Sequence, residues 1–257
     1  MASSPLRVVI SGASGGLGHA LARHYLENGA MVAAFARRGE LLQRLAAEFP
    51  GQVFCYELDV RDPGSVQAAA EDFIVRAGVP DIVIANAGVS VGTLTEHAED
   101  IDAFSQVMDI NVLGVVQTFQ PFVAAMRKRK RGTLVGIASV AGFRGLPGAG
   151  AYSASKAAVI AYLESLRVEL RRSGVAVVTI CPGYIKTAMT DINPYPMPFI
   201  LEADEAARRI ARVILRQKTF CVIPWQMGAV GWLLRRLPNW LYDRLFQDAP
   251  HKPRGLL

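Results

Sequence analysis

The chain has 257 residues, 51% of them hydrophobic and 19% charged, with a formal net charge of +6. That balance excludes a disordered or low-complexity chain and supplies a sizeable core, arranged as one large domain or two small ones. Three widely spaced cysteines in strand-like runs, Cys55, Cys181 and Cys221, exclude a disulfide frame and a metal centre and fit reduced core residues of a cytoplasmic protein.

Only Met1 to Pro5 precede the first apolar run, which meets Gly12 too soon to serve as a signal-peptide core. No uninterrupted apolar stretch approaches the roughly 20 residues needed to span a bilayer. Leu6 to Ile10 is a short β-type run, and Ser11-Gly12-Ala13-Ser14-Gly15-Gly16-Leu17-Gly18 follows at once, ahead of a helical pattern through Leu21 and Leu26. Strand, glycine-rich turn, helix is the context that gives such a run meaning for a dinucleotide. Gly12 permits the tight turn, Gly16 admits a pyrophosphate close to the backbone, and Gly18 allows close helix–strand packing, with the helix N-terminus facing the phosphates. A plain glycine turn satisfies the same residues.

The second strand, Met31 to Phe35, ends at Ala36-Arg37-Arg38. An acidic residue there would accept from the adenine ribose; arginine instead suits a 2′-phosphate, so NADP is expected ahead of NAD. The alternative is a pair of solvated loop arginines. A helix from Leu41 to Phe49 leads to strand Val53 to Leu58 and Asp59-Val60; a helix from Ser65 to about Arg76 precedes strand Ile82 to Ala85 and Asn86-Ala87-Gly88. A long helical segment containing Asn111 closes on the contiguous basic run Arg127 to Arg131, whose cations suit a helix C-terminus. No nucleic-acid motif or aromatic interleaving accompanies that run, so no nucleic-acid partner is expected.

Strand Thr133 to Ile137 leads to Ser139, and a loop rich in Gly and Pro runs into Tyr152 and Lys156, four apart at the start of a helix reaching about Arg172. Residues at that spacing share a helix face, so a phenol and an ammonium that both ordinarily titrate near pH 10 approach one point. The ammonium is expected to lower the phenol pKa, giving a proton donor and acceptor for carbonyl or alcohol chemistry. A surface Tyr–Lys pair has the same spacing. Strand Val175 to Ile180 ends at Cys181-Pro182-Gly183, and Phe220 to Ile223 is a last strand. The alternation predicts an α/β fold of Rossmann type: a doubly wound parallel sheet of about seven strands with helices on both faces, in one domain. Residues 1–225 form the dinucleotide-binding and catalytic part, and 226–257 an apolar, basic helical tail. In such a sheet, Gly12, Arg37, Asp59, Asn86, Ser139 and Pro182 all meet at the carboxyl edge.

Together these residues resemble the classical short-chain dehydrogenase/reductase family, over nearly all of residues 6–225. The matching pieces are the glycine run from Ser11 to Gly18, Asp59-Val60, Asn86-Ala87-Gly88, Asn111, Ser139, Tyr152 to Lys156, and Pro182-Gly183 with Thr187. Ser11 stands where the family usually has Thr, and Ala85 where it usually has Asn. The resemblance implies an NAD(P)-dependent oxidoreductase acting on a carbonyl/alcohol pair. Tyr152 is then the general acid in reduction and the base in oxidation, Lys156 lowers its pKa and holds the nicotinamide ribose, and Ser139 binds the substrate oxygen. Asn111 holds a water that links Lys156 to solvent. For the cofactor, the resemblance implies Gly12, Ser14, Gly15, Gly16, Leu17 and Gly18 at the phosphates and Arg37 and Arg38 at the ribose. Asp59 and Val60 flank the adenine, Asn86, Ala87 and Gly88 pass beneath the cofactor, and Pro182, Gly183, Ile185 and Thr187 hold the nicotinamide. It also implies a homodimer or homotetramer formed through the long helices of Asn111 and Tyr152.

The substrate walls are expected in Val89 to Leu94, Phe143 to Leu146 and a stiff segment from Tyr184 to Phe199, which holds Pro194, Pro196 and Pro198 and forms a lid. Their few charges, Arg144, Lys186 and Asp191, favour a largely apolar carbonyl compound. In the tail, Trp232, Trp240 and several leucines lie among Arg235, Arg236 and Arg244, and Pro238 splits the segment into two short helices. Such a tail folds back over the active-site mouth, contacts another subunit, or touches a membrane surface.

Overall fold

A strand covered on both faces has no polar side to show, so its sequence loses the period-two alternation. Arg7–Ser11 (β1) is such a segment, with Val8, Val9 and Ile10 all fully buried. The structure is a computed structural model that describes residues 4–255. After β1 come Gly16–Glu27 (α1), Met31–Ala36 (β2), Gly39–Glu48 (α2), Val53–Glu57 (β3), Pro63–Ala77 (α3) and Ile82–Ala85 (β4). Then follow Asp100–Met108 (α4), a π-helical turn at Asp109–Leu113, Gly114–Arg129 (α5), Gly132–Ile137 (β5), Gly150–Glu169 (α6) and Val175–Pro182 (β6). The last part holds Ile185–Lys186 (β7), Ala188–Asp191 (α7), Leu201–Glu202 (β8), Ala203–Leu215 (α8), Phe220–Ile223 (β9), Trp225–Arg236 (α9) and Asn239–Phe246 (α10).

The main sheet has 7 strands in the order β3-β2-β1-β4-β5-β6-β9, every pair parallel. Alternate residues of each strand enter different cores. Val8, Ile10, Val32 and Ala34 pack under α1, α2 and α8 with Leu21, Leu26, Leu42 and Ile210. Val9, Ala33, Phe35 and Val83 pack under α3, α5 and α6 with Phe73, Phe119, Phe122 and Leu163. The chain starts in the middle and winds outward both ways, so the crevice between β1 and β4 is the switch point where such sheets bind ligands. The expected doubly wound architecture is therefore the observed one.

Local chemistry explains the details. α3 starts two residues earlier than expected because Pro63 occupies its first turn and Asp62 caps it, accepting from Gly64 N (3.0 Å) and Ser65 N (3.3 Å). The helix α8 has no counterpart in the predicted elements. Its signal was present: Ala206, Ile210 and Ile214 recur every four residues and are buried, while Arg208 and Arg212 point outward. Helices α4 and α5 run on through the π turn as one helical segment, Asp100–Arg129, long and apolar enough to cross a membrane by length and composition. This is the long helical segment around Asn111 expected from the sequence, although no uninterrupted apolar run within it is of membrane-spanning length. Its apolar side is accounted for by the sheet, with Val115, Phe119, Phe122 and Met126 buried.

The basic run is also more than a solvated helix end. Arg129 donates to Val79 O (2.8 Å) and Pro80 O (2.6 Å) and pairs with the buried Asp81 carboxylate at 3.3 Å. Arg7 and Arg131 face the same carboxylate at 3.5 Å each. Asp81 thus pins the ends of α5 and β4 together, and removing it takes the counter-ion from the half-buried Arg129 and Arg7. Asp81→Ala should cost about 2 kcal/mol of unfolding free energy, read as a lower urea midpoint with an unchanged native circular-dichroism spectrum.

Candidate active site

The turn from β1 into α1 is forced tight by its glycines. Gly12 (φ +71°) and Gly16 (φ +52°) adopt left-handed backbone that side chains disfavour. A Cβ on Gly18 would lie 2.1 Å from Gly12 O and 2.5 Å from Asn86 Nδ2, so only glycine lets the helix start beneath the strand end. Gly15, the residue before α1, offers no side-chain cap, so the first-turn N–H groups stay open to an anion. Ser11 ties the neighbouring turn: its Oγ accepts from Asn86 N (3.1 Å) and Ala87 N (3.2 Å), while Asn86 Nδ2 returns a bond to Ser11 O (3.0 Å). The hydroxyl is what this junction needs.

Beyond β2, the Arg38 guanidinium reaches back over the turn to Ser14 Oγ (3.2 Å from Nη2) and lies against Gly15. Arg37 is exposed beside it and acts electrostatically on Asp59. The Asp59 carboxyl is held below its usual range, chiefly by its hydrogen bonds with Arg61, the closer at 2.7 Å. Arg61 escaped the sequence reading; its position two residues after a strand-end aspartate carries no distinctive signal. Its effect is to neutralise the one acidic group at this end, leaving Arg37 and Arg38 to set a positive field. Val60 is buried beneath Gly114.

At the far end stand the four candidate catalytic residues. Ser139 precedes a 3₁₀ turn, its Oγ accepting from Ala141 N (3.1 Å). Lys156 Nζ donates to Ile137 O (2.9 Å) and lies 5.7 Å from the centre of the Tyr152 ring. Burial pushes the Tyr152 phenol above its ordinary value, with the Ser139 hydroxyl acting against that push. Burial likewise lowers the Lys156 ammonium to about 8. The expectation was that the ammonium pulls the phenol down; here the phenol is raised, and desolvation is the largest influence on both groups. The phenol is accordingly protonated at neutral pH.

Asn111 stands apart from the others. It is fully buried in the π turn, where its Nδ2 donates to Val89 O (2.9 Å) and Ser155 Oγ (3.0 Å) and its Oδ1 accepts from Val89 N (2.8 Å). It sits behind Gly88: a Cβ there would lie 3.1 Å from Asn111 Oδ1 and 3.6 Å from Lys156 Nζ. A widened helical turn of this kind is how a helix turns an amide inward.

Every other expected site residue lines one cleft of about 520 Å³. It runs from Arg37, Arg38, Asp59 and Val60, past Gly12, Ser14, Gly15, Gly16, Leu17 and Gly18 and past Asn86, Ala87 and Gly88, to Ser139, Tyr152 and Lys156. Pro182, Gly183, Ile185 and Thr187 close its far wall, joined by Met189 and Thr190 from the segment Tyr184 to Phe199 that was expected to wall the substrate. Thr187 both faces Gly16 and opens α7, where its N–H donates to Thr190 Oγ1 at 3.0 Å. The open glycine cradle and the uncapped helix start fit a nicotinamide dinucleotide. Among the described residues no cluster with metal-ligand spacing occurs.

The tail folds back beside this mouth. Pro238 separates α9 from α10, and Arg144, expected as a wall charge, is taken up by the tail. It donates to Leu234 O (2.5 Å) and Leu237 O (2.6 Å) and lies 3.9 Å over the Tyr242 ring. Tyr242 Oη donates to Gly145 O at 2.6 Å. Trp225, Trp232 and Trp240 remain exposed on the outer side.

Comparisons with known proteins agree with this fold. Residues 7–194 match the family model described as short chain dehydrogenase. An uncharacterized oxidoreductase of Myxococcus xanthus is 39% identical over 238 residues, 91% of this chain and 94% of that protein. A crystal structure of a short chain dehydrogenase from Burkholderia cenocepacia in complex with NADP superposes with a TM-score of 0.82 at 26% identity, covering 94% of this chain and 98% of that one. A short chain dehydrogenase/reductase from Burkholderia phymatum in complex with NAD gives a TM-score of 0.82 at 24% identity, covering 98% and 99%.

Because Gly18 abuts Gly12 O and Asn86, Gly18→Ala must displace the turn. It should weaken nicotinamide dinucleotide binding by about tenfold or more, followed by fluorescence titration with the reduced cofactor.

Proposed function

We propose that this chain, a member of the short-chain dehydrogenase family, is an NADP-preferring oxidoreductase that interconverts a carbonyl and a secondary alcohol on a largely apolar substrate. The observation that carries the reading is the half-buried Tyr152 phenol, set between Ser139 and Lys156 in the same cleft as the glycine turn. The bound nicotinamide supplies hydride chemistry. The chain's own residues handle the oxygen: Ser139 Oγ donates to the substrate carbonyl and steadies the negative charge that builds there. Tyr152, protonated at neutral pH, gives that oxygen its proton, and the Lys156 ammonium supports the phenolate left behind. In oxidation the same proton returns to Tyr152. Asn111 acts behind the cleft by holding Val89 and Ser155 in place, with one Oδ1 lone pair left for a water that communicates with Lys156.

NADP preference rests on Arg37 and Arg38 at the cleft, with Asp59 engaged by Arg61. The apolar substrate rests on Val89, Met189, Ile185 and the withdrawal of Arg144 into the tail. A homo-oligomer in the cytoplasm belongs to the same reading: α5 and α6 border exposed Leu113 and Val168, a face suited to a second copy. The exposed tryptophans beside Arg235, Arg236 and Arg244 favour peripheral membrane contact as a second role for the tail.

Tyr152→Phe should lower the rate of ketone reduction by about 10²–10⁴-fold while NADPH affinity, measured by fluorescence titration, stays within about threefold. Arg37→Ala or Arg38→Ala should weaken NADPH binding by about ten- to a hundredfold and leave NADH nearly unchanged; equal losses would refute the assignment. Lys156 is charged below about pH 8 and neutral above it. Reduction at saturating NADPH should therefore hold steady through neutral pH and fall on the alkaline side of about 8, read from a pH–rate profile.

A further inference from the structure

The last described residues cross the mouth of the cleft. Gly92 N donates to Pro253 O at 3.0 Å, and Arg254 pairs with Asp100 (2.8 Å) and Glu99 (2.9 Å). His251 packs over Gly148. Between these anchors Lys252 turns inward. Its Nζ donates to Ser90 Oγ at 2.9 Å and to Met189 O at 3.4 Å, and it lies 6.0 Å from the centre of the Tyr152 ring. Lys156 approaches the same ring from α6 at 5.7 Å. The phenol therefore has one ammonium on the floor of the cleft and another at its mouth.

An ammonium carries three N–H donors, and Lys252 uses two, both on neutral oxygens. Among the described residues no carboxylate comes within ion-pair distance of it, although Arg254, two residues on, faces two. Burial costs the cation enough to bring its pKa to about 8, so at neutral pH it is mostly charged. A half-buried cation with a spare donor and no counter-ion, held beside the reacting position, is built to meet an anion arriving from outside. The pyrophosphate end lies elsewhere, at the glycine turn, whereas Ser90 and Met189 belong to the substrate walls.

We propose that Lys252 anchors an acidic group of the substrate, so that the site takes a carbonyl compound with an apolar body and one carboxylate. This rests on the oxidoreductase reading above and names its substrate class. Lys252 falls beyond the part of the chain that matches the family model, residues 7–194. Selectivity is thus supplied by the tail while the chemistry stays in the sheet.

The test compares 4-oxopentanoate, 5-oxohexanoate and 7-oxooctanoate with their methyl esters, using NADPH and the full chain as wild type, Lys252→Met and Lys252→Arg. In Lys252→Met, kcat/KM for the preferred acid should fall by about ten- to a hundredfold, mostly through KM, while its ester changes by less than about threefold. Lys252→Arg should keep most of the preference. Calorimetric titration of hexanoate into the NADP-loaded protein should give binding that Lys252→Met loses and Lys252→Arg retains. Equal losses for acid and ester would make the segment a structural strap and overturn the proposal. So would a wild type that prefers esters, or a Lys252→Met defect confined to NADPH affinity. If the wild type reduces none of these ketones, the oxidoreductase reading fails. The hexanoate arm then decides the anchor separately: lost binding in Lys252→Met supports it, and unchanged binding ends it.

Discussion

Burying both faces of a parallel sheet is the constraint from which the rest of this molecule follows. With α1, α2 and α8 on one side and α3, α5 and α6 on the other, no lateral surface is left for polar chemistry. Backbone groups and side chains that must meet water or a ligand emerge at strand ends, and the parallel winding gathers seven such ends at one edge. The close approach of Gly18 to Gly12 sets how near α1 comes to that edge. Ser11 and Asn86 then lock the two turns that flank the crevice. A dinucleotide-shaped cleft is what remains when those contacts are made.

The same burial governs the electrostatics. Desolvation disfavours whichever form of a group is charged, so it raises the Tyr152 phenol and lowers the Lys156 ammonium together. A neutral phenol therefore stands beside an ammonium still charged at neutral pH. At the other end Arg61 absorbs the charge of Asp59, and Arg37 and Arg38 give that lip of the cleft a positive field.

How much of this was legible in the sequence follows from the range of each interaction. Unbroken apolar strands and the glycine run are local signals that led to the architecture, and with the family resemblance of the short motifs they led to twenty residues of cleft wall without recourse to contacts. Pairings across the chain were invisible. Asp81 meeting Arg7, Arg129 and Arg131, Arg144 passing into the tail, and Asn111 clamped between Val89 and Ser155 all join segments that no spacing rule connects. The π turn around Asn111 was hidden for a related reason, because one inserted residue in a helix leaves the apolar pattern on either side intact. The helix α8 was different: its period was on the page, and the proline-rich segment before it drew the reading away.

The tail shows why its composition alone was ambiguous. Tryptophans and arginines satisfy a membrane contact, a subunit contact and a folded-back cover equally well. The structure divides these roles along the segment. Tyr242, Met227 and Leu237 face the body of the protein, Trp225, Trp232 and Trp240 face outward, and the strand of chain after α10 carries Lys252 to the mouth. Outer-face contacts and inner-face recognition are therefore carried by different residues of one short segment. Arg144 ties the end of α9 to the start of α10, donating to Leu234 O, Leu237 O and Asn239 Oδ1, so the tail is held to the body through a few hydrogen bonds rather than through the sheet.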